Sequence, residues 1–161
     1  MQPDSNTEAR VLAPENVRRA ILSQLPQKPP FLFIDEITEL STEHIVARRK
    51  FRLDEDFYRG HFPGDPVTPG VILLEAMAQA GLVALGLYLA SQSPKQATLR
   101  TLFTESNVEF HAIVPPEHTV IMRGEKIMWR MGKLRSRVSM HLEDGTLAAG
   151  GIVAGQGVKV A

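Results

Sequence analysis

From Val71 to Ser91 the chain runs for about six helical turns with a single charged residue, Glu75. So long an apolar run permits few folds. A helix that is apolar all round must be buried on most sides, either in a bilayer or at the centre of a soluble fold. Glu75, Gln79 and several small residues interrupt this one, and no Lys or Arg cluster flanks it closely, which argues against a bilayer span. The lone carboxylate is itself informative. An ionised carboxylate taken out of water must be paired, protonated or wetted, so a chain that keeps one there invites a functional explanation.

The rest of the chain supplies a wrapping for that helix. Residues 1–13 read as a flexible tail and 14–161 as one domain, the size that 161 residues comfortably fill. Pro14-Glu15-Asn16-Val17 opens a short amphipathic helix with Val17, Ile21 and Leu25 on one face, ended by Pro26. Residues 31–40 and 45–53 read as two strands of a hairpin. After the long helix, which ends at Ser93-Pro94-Lys95, residues 98–110, 119–131, 133–142 and 146–156 read as strands, with turns at Pro115-Pro116-Glu117-His118, Met131-Gly132 and Glu143-Asp144-Gly145. The fold class is therefore α+β: a mostly antiparallel sheet of about six strands wrapped around one long central helix.

Composition excludes more than it selects. With a formal net charge of zero, 43% hydrophobic and 22% charged residues, no global field favours nucleic acid or a membrane surface. The absence of cysteine removes disulfides, thiolate ligands and a cysteine nucleophile, as suits a reducing cytoplasm. Residues 1–10 are polar and lack a signal-peptide core, which argues against export. His61, His111 and His118 match no short zinc-ligand spacing, so neither a metal nor another cofactor is expected. Neither a nucleophile elbow nor a phosphate-binding glycine loop is present.

The chemistry gathers just ahead of and inside the helix. The loop Gly60-His61-Phe62-Pro63-Gly64-Asp65-Pro66-Val67 is stiffened by prolines and runs into Thr68-Pro69-Gly70. Thr68 can cap the helix, Pro69 suits its first turn, and Gly70 offers an early free amide to a developing oxyanion. Glu75 follows within two turns. Gln79, four residues on, shares its face and can orient its carboxyl. A neutral imidazole, a desolvated glutamic acid and an amide donor suit proton abstraction next to a carbonyl. On a thioester with a hydroxyl at carbon 3 the outcome is loss of water: His61 takes the C2 proton and Glu75 protonates the departing hydroxyl. The plain structural readings remain beside this one. They are a loop histidine satisfied by backbone, a carboxylate favoured by the helix dipole, and a rigid proline turn.

The segments Leu25-Pro26, Pro30-Phe31-Leu32-Phe33-Ile34-Asp35 and Gly60 to Gly70, with Glu75-Ala76-Met77-Ala78-Gln79, resemble the 3-hydroxyacyl-[acyl-carrier-protein] dehydratases of bacterial fatty acid synthesis. Glutamate at position 75 is similar to the branch that only dehydrates; the dehydratase-isomerase branch has aspartate there. The resemblance implies a hotdog fold, catalytic His61 and Glu75, and an acyl carrier protein as the partner that presents the phosphopantetheine-linked substrate. It also implies a homodimer whose sheets join, often three dimers in a hexamer, with His61 and Glu75 of one site coming from different subunits. The chain departs from the pattern at Val114-Pro115-Pro116-Glu117-His118, where a Pro-Gly-Asp turn is usual, and at Gln27-Lys28, where His-Arg is common.

One charge pattern is left over. Arg123, Lys126, Arg130, Lys133, Arg135 and Arg137 stand against Glu125 alone, with Trp129 among them. This is either a solvated strand face or a docking patch for the acidic carrier, to which Arg48, Arg49, Lys50 and Arg52 could add. The expected activity is dehydration of (3R)-3-hydroxyacyl-carrier substrates to trans-2-enoyl products. A hotdog thioesterase and a non-catalytic carrier-binding protein are the alternatives.

Overall fold

A computed structural model describes residues 11–93 and 99–159. In chain order the elements are α1 (Glu15–Gln24), β1 (Glu36–Leu40), β2 (His44–Lys50), α2 (Phe57–Gly60), the central helix α3 (Gly70–Ser91), β3 (Leu99–Phe110), β4 (Thr119–Arg130), β5 (Lys133–Leu142) and β6 (Leu147–Lys159). All strands join one antiparallel sheet in the order β1-β2-β4-β5-β6-β3. Residues 1–10, most of the tail expected over 1–13, lie outside the described residues, as does Thr98 at the expected start of the third strand. Ala13 is already part of the body: it is buried and its amide donates to Leu40 O at 2.7 Å.

The sheet curls round α3. Register shifts in β1, β3, β4 and between β5 and β6 add the local twist that bends strands about a core. Ile45, Ala47, Val120, Met122, Leu134, Val138, Met140 and Val153 are buried on the inner side against the helix. Contact is closest where two glycines face each other: a Cβ on Gly124 would come within 2.7 Å of Gly81 Cα, and one on Gly81 within 2.6 Å of a Val138 methyl. There the helix is wound as a π-helix over Gln79–Ala84. Leu85 N–H reaches back five residues to Ala80 O, while Ser136 Oγ donates to Gly81 O at 2.7 Å. Although α3 is long and apolar enough to cross a membrane, with a mean hydropathy of 1.8 over an 18-residue span of it, 67% of that span is buried inside the fold.

The first expected strand is shorter than its hydrophobic pattern suggests. Residues 31–35 are irregular and only Glu36–Leu40 is strand, because the Phe31 carbonyl and the Phe33 amide are bound by the Gln79 side chain instead of a neighbouring strand. The second strand stops at Lys50, where the chain turns toward α2, a one-turn helix that the sequence pattern does not announce. Arg49 anchors that turn. Nine-tenths buried, it bonds Asp35 at 3.1 Å and also Glu55, and its guanidinium lies over the Phe33 and Phe51 rings. Asp35 also accepts from Lys50 N, and Glu55 from Arg52 N.

The unusual turn at Pro115-Pro116-Glu117-His118 has a local explanation. Glu117 adopts φ +64°, a conformation that glycine adopts at no steric cost. Its carboxylate accepts from Leu53 N at 2.8 Å and pairs with Lys50 Nζ at 3.3 Å, which offsets the backbone cost and ties the turn to the end of β2.

Candidate active site

The loop after α2 is held from both ends. Phe57 O accepts from His61 N, His61 O from Val67 N, and Phe62 and Asp65 exchange amide-to-carbonyl bonds. Gly64 takes the left-handed φ of +77° that this tight exchange requires. Thr68 N donates to Val114 O at 3.1 Å, so the unusual turn and the loop share a wall.

His61 is half-buried, its ring stacked on Phe62 with centroids 4.0 Å apart. Its Nδ1 lies 2.8 Å from Val67 O. A carbonyl only accepts, so Nδ1 carries the hydrogen and Nε2 of the neutral ring keeps its lone pair. That is the tautomer a base requires.

Thr68 does not cap α3. The helix has Pro69 at its N-cap and no side-chain cap, while the Thr68 hydroxyl lies 2.6 Å from Tyr58 Oη. The amides of Gly70 and Val71 therefore meet no acceptor among the described residues. Gly70 also makes room: a Cβ there would sit 3.3 Å from the Phe110 ring. Phe110 closes the end of β3, an edge strand whose Leu102, Phe103 and Phe110 are exposed.

Glu75 is half-buried, and its carboxyl has one hydrogen-bond partner among the described residues. Gln79, fully buried, accepts from Phe33 N through Oε1 at 2.8 Å and donates through Nε2 to Phe31 O at 2.9 Å and Glu75 Oε1 at 3.1 Å. Because Phe33 N–H can only donate, the amide cannot be flipped. Burial pushes the Glu75 carboxyl above its ordinary value, with the Gln79 bond pulling the other way. When Glu75 is protonated, its proton belongs on Oε2, since Oε1 is accepting from Gln79.

No hydrogen bond or ion pair joins His61 to Glu75 among the described residues; each is held by its own neighbours. No group of three or more potential metal ligands occurs there either. His118 bonds Pro116 O and His111 lies 3.9 Å from Glu109. The six cations of the leftover pattern divide. Arg123 pairs with Glu125, Lys126 with Glu43 and Arg135 with Glu105, while Arg130, Lys133 and Arg137 have no ion pair among the described residues. Leu134 packs near Gly86 whereas Gly70 meets Phe110, so the Arg130–Lys133 turn lies about 24 Å along α3 from the helix start. Arg49 does not belong to this surface, being buried between Asp35 and Glu55. Tyr58, Phe110 and the backbone of Phe31 and Phe33 were not foreseen as parts of the site. Their signal lies in tertiary contact, which no local spacing carries.

A family model described as a FabA-like domain matches residues 25–156, spanning the loop, the helix and the sheet. The chain belongs to the FabA-like family. Among curated FabA-like relatives, the 3-hydroxyacyl-[acyl-carrier-protein] dehydratase FabZ of Thermus thermophilus is 38% identical over 71% of this chain and 78% of its own length. That of Acinetobacter baumannii is 31% identical over 81% and 88%. Solved structures show the same hotdog fold. The dehydratase heterocomplex ApeI:P from Xenorhabdus doucetiae gives a TM-score of 0.73 at 14% identity, covering 86% of this chain and 91% of that one. A hypothetical thioesterase with coenzyme A from Streptococcus pneumoniae gives 0.59 at 13% identity, covering 77% and 85%.

Proposed function

We infer that this FabA-like chain is a hydro-lyase that dehydrates 3-hydroxyacyl groups carried on acyl carrier protein in fatty acid biosynthesis. The observation that carries the reading is the pair of hydrogen-bond arrangements at His61 and Glu75 within the family scaffold. His61 has a free Nε2, and Glu75 is a carboxyl raised by burial with its proton confined to Oε2. Base and acid are set for opposite tasks.

In the proposed reaction the Gly70 amide holds the thioester oxygen and His61 Nε2 removes the C2 proton of a (3R)-3-hydroxyacyl group. The C2 electron pair moves onto the thioester as an enolate, whose collapse forms the trans C2–C3 double bond and breaks the C3–O bond. Glu75 Oε2 gives its proton to the departing hydroxyl, so water leaves. Transfer of the proton from His61 back to Glu75 resets both groups, with no metal or nucleotide required.

The site is assembled from two copies, His61 and Gly70 facing Glu75 of a second subunit. Support comes from the separate anchoring of the two side chains within one chain, His61 on Val67 O and Glu75 on Gln79. It comes also from the exposed apolar residues of edge strand β3, whose last residue abuts Gly70. The enzyme and its carrier work in the cytoplasm; α3, the one described helix long and apolar enough for a membrane, is used as core instead. Arg130, Lys133 and Arg137, which lack acidic partners among the described residues, contact the carrier.

Mass spectrometry of a carrier-bound hydroxyacyl panel tests the reading. The parent should yield enoyl product lighter by one water, and His61→Ala and Glu75→Gln should each lose nearly all of it. Full activity in either variant, or release of free acid and carrier thiol, would overturn it.

A further inference from the structure

A threonine hydroxyl readily closes a turn on the amide two residues ahead. For Thr68 that amide is Gly70's, the donor assigned above to the thioester oxygen. The hydroxyl turns away from it. Thr68 Oγ1 and Tyr58 Oη are 2.6 Å apart, each residue is 4% exposed, and neither hydroxyl has another side-chain partner among the described residues. A buried hydroxyl takes a partner where one is within reach. Without Tyr58, the partner that a turn of this kind offers Thr68 is the Gly70 amide.

We propose that Tyr58 is a positioning residue that holds the Thr68 hydroxyl off the Gly70 amide and so keeps the oxyanion donor free for substrate. The inference rests on the role given to Gly70 in the proposed reaction. It does not reduce to a clamp on the loop. The loop is already closed by the reciprocal backbone bonds of Phe62 and Asp65, by Val67 N to His61 O and by Thr68 N to Val114 O, while the Tyr58 ring packs against Phe57 with centroids 4.6 Å apart. Phenylalanine keeps that packing and removes only the oxygen.

The test uses three variants of the full chain: Tyr58→Phe, Thr68→Val and the two combined. Freed from Tyr58, the Thr68 hydroxyl turns to Gly70 N–H and competes with the substrate carbonyl, so Tyr58→Phe should lose roughly tenfold or more in kcat. Thr68→Val leaves no competing hydroxyl and should stay close to the parent. The combined variant should recover the activity that Tyr58→Phe lost. A clamp predicts the reverse order, with Thr68→Val slow and the combined variant no faster than Tyr58→Phe. Either result overturns the proposal, as does a Tyr58→Phe variant as fast as the parent.

A readout that needs no turnover separates this inference from the functional reading. By NMR the Gly70 amide proton should move downfield in Tyr58→Phe and return in the combined variant; an unmoved resonance sinks the proposal. Circular dichroism and thermal melts establish that each variant is folded, and if Tyr58→Phe is not, the activity of Thr68→Val still decides between positioning and clamp. Parent protein with no dehydratase turnover refutes the functional reading instead.

Discussion

Gln79 donates to Glu75 across one helical turn, Nε2 to Oε1 at 3.1 Å, while the Phe33 amide fixes which end of the Gln79 side chain does so. A backbone group 46 residues away thereby determines which carboxylate oxygen is left to carry a proton. The Glu75 carboxyl is oriented from outside the helix that bears it.

Glu75→Gln should separate function from stability. The amide can still accept from Gln79 but cannot act as an acid, so kcat should fall by about 10²-fold or more. The same change removes a carboxyl that burial disfavours when ionised, so the melting temperature at neutral pH should rise. A lower melting temperature would count against the burial argument.

The pH dependence of stability should carry the same signature. The folded state holds the Glu75 proton above the ordinary value of 4.5, so it binds more protons than the unfolded chain in the window just above that value. Stability must then fall as pH rises through the window. Urea titrations at a series of pH values should show this slope in the parent and its loss in Glu75→Gln. Glu117, whose carboxyl is lowered by its bond to Leu53 N, acts with the opposite sign: its contribution is present above its unfolded value and fades as acid is added below it.

Replacing Gln79 by leucine should cost about 2–4 kcal/mol, because the Phe33 amide and the Phe31 carbonyl both lose their partner. Chemical denaturation measures the loss directly. A variant as stable as the parent would mean that water replaces the amide without penalty.

At the crossing of α3 and β4, Gly81→Ala or Gly124→Ala should each destabilise by about 1–3 kcal/mol, since the added methyl meets neighbours at 2.6 Å and 2.7 Å. The two substitutions press on the same gap. Their combined effect should therefore depart from additivity in a double-mutant cycle.

Charge reversal at Arg130 and Arg137 should raise KM for carrier-bound substrate, most at low salt, and leave kcat alone. Reversal at Arg123, already paired with Glu125, should do less. Equal effects at the two places would dissolve the distinction between neutralised and free cations.

What was legible in the sequence followed from short-range pattern. The apolar run announced α3, the Asp144-Gly145 turn announced β5 and β6, and the spacing of Glu75 and Gln79 placed them on one face. What escaped depended on distant partners. Residues 31–35 have strand-like composition, yet the Phe31 carbonyl and the Phe33 amide are bound by Gln79. The spacing of Thr68 suits a helix cap, yet its hydroxyl lies against Tyr58. Arg49 looked like surface charge, but Asp35 and Glu55 bury it. The sheet order was equally out of reach, since register between distant strands leaves no mark on either alone.

That order sets a timetable for the ribosome. β3 is synthesised before β4, β5 and β6, but its neighbour in the sheet is β6. Until the last strand emerges, β3 has no strand to pair with and its backbone groups stay open. Assembly of that side must wait for nearly the whole chain, as expected where pairings are far apart in sequence. Stalled or prematurely ended copies would present an unpaired, aggregation-prone ribbon, and chaperones that bind nascent chains should find their target there.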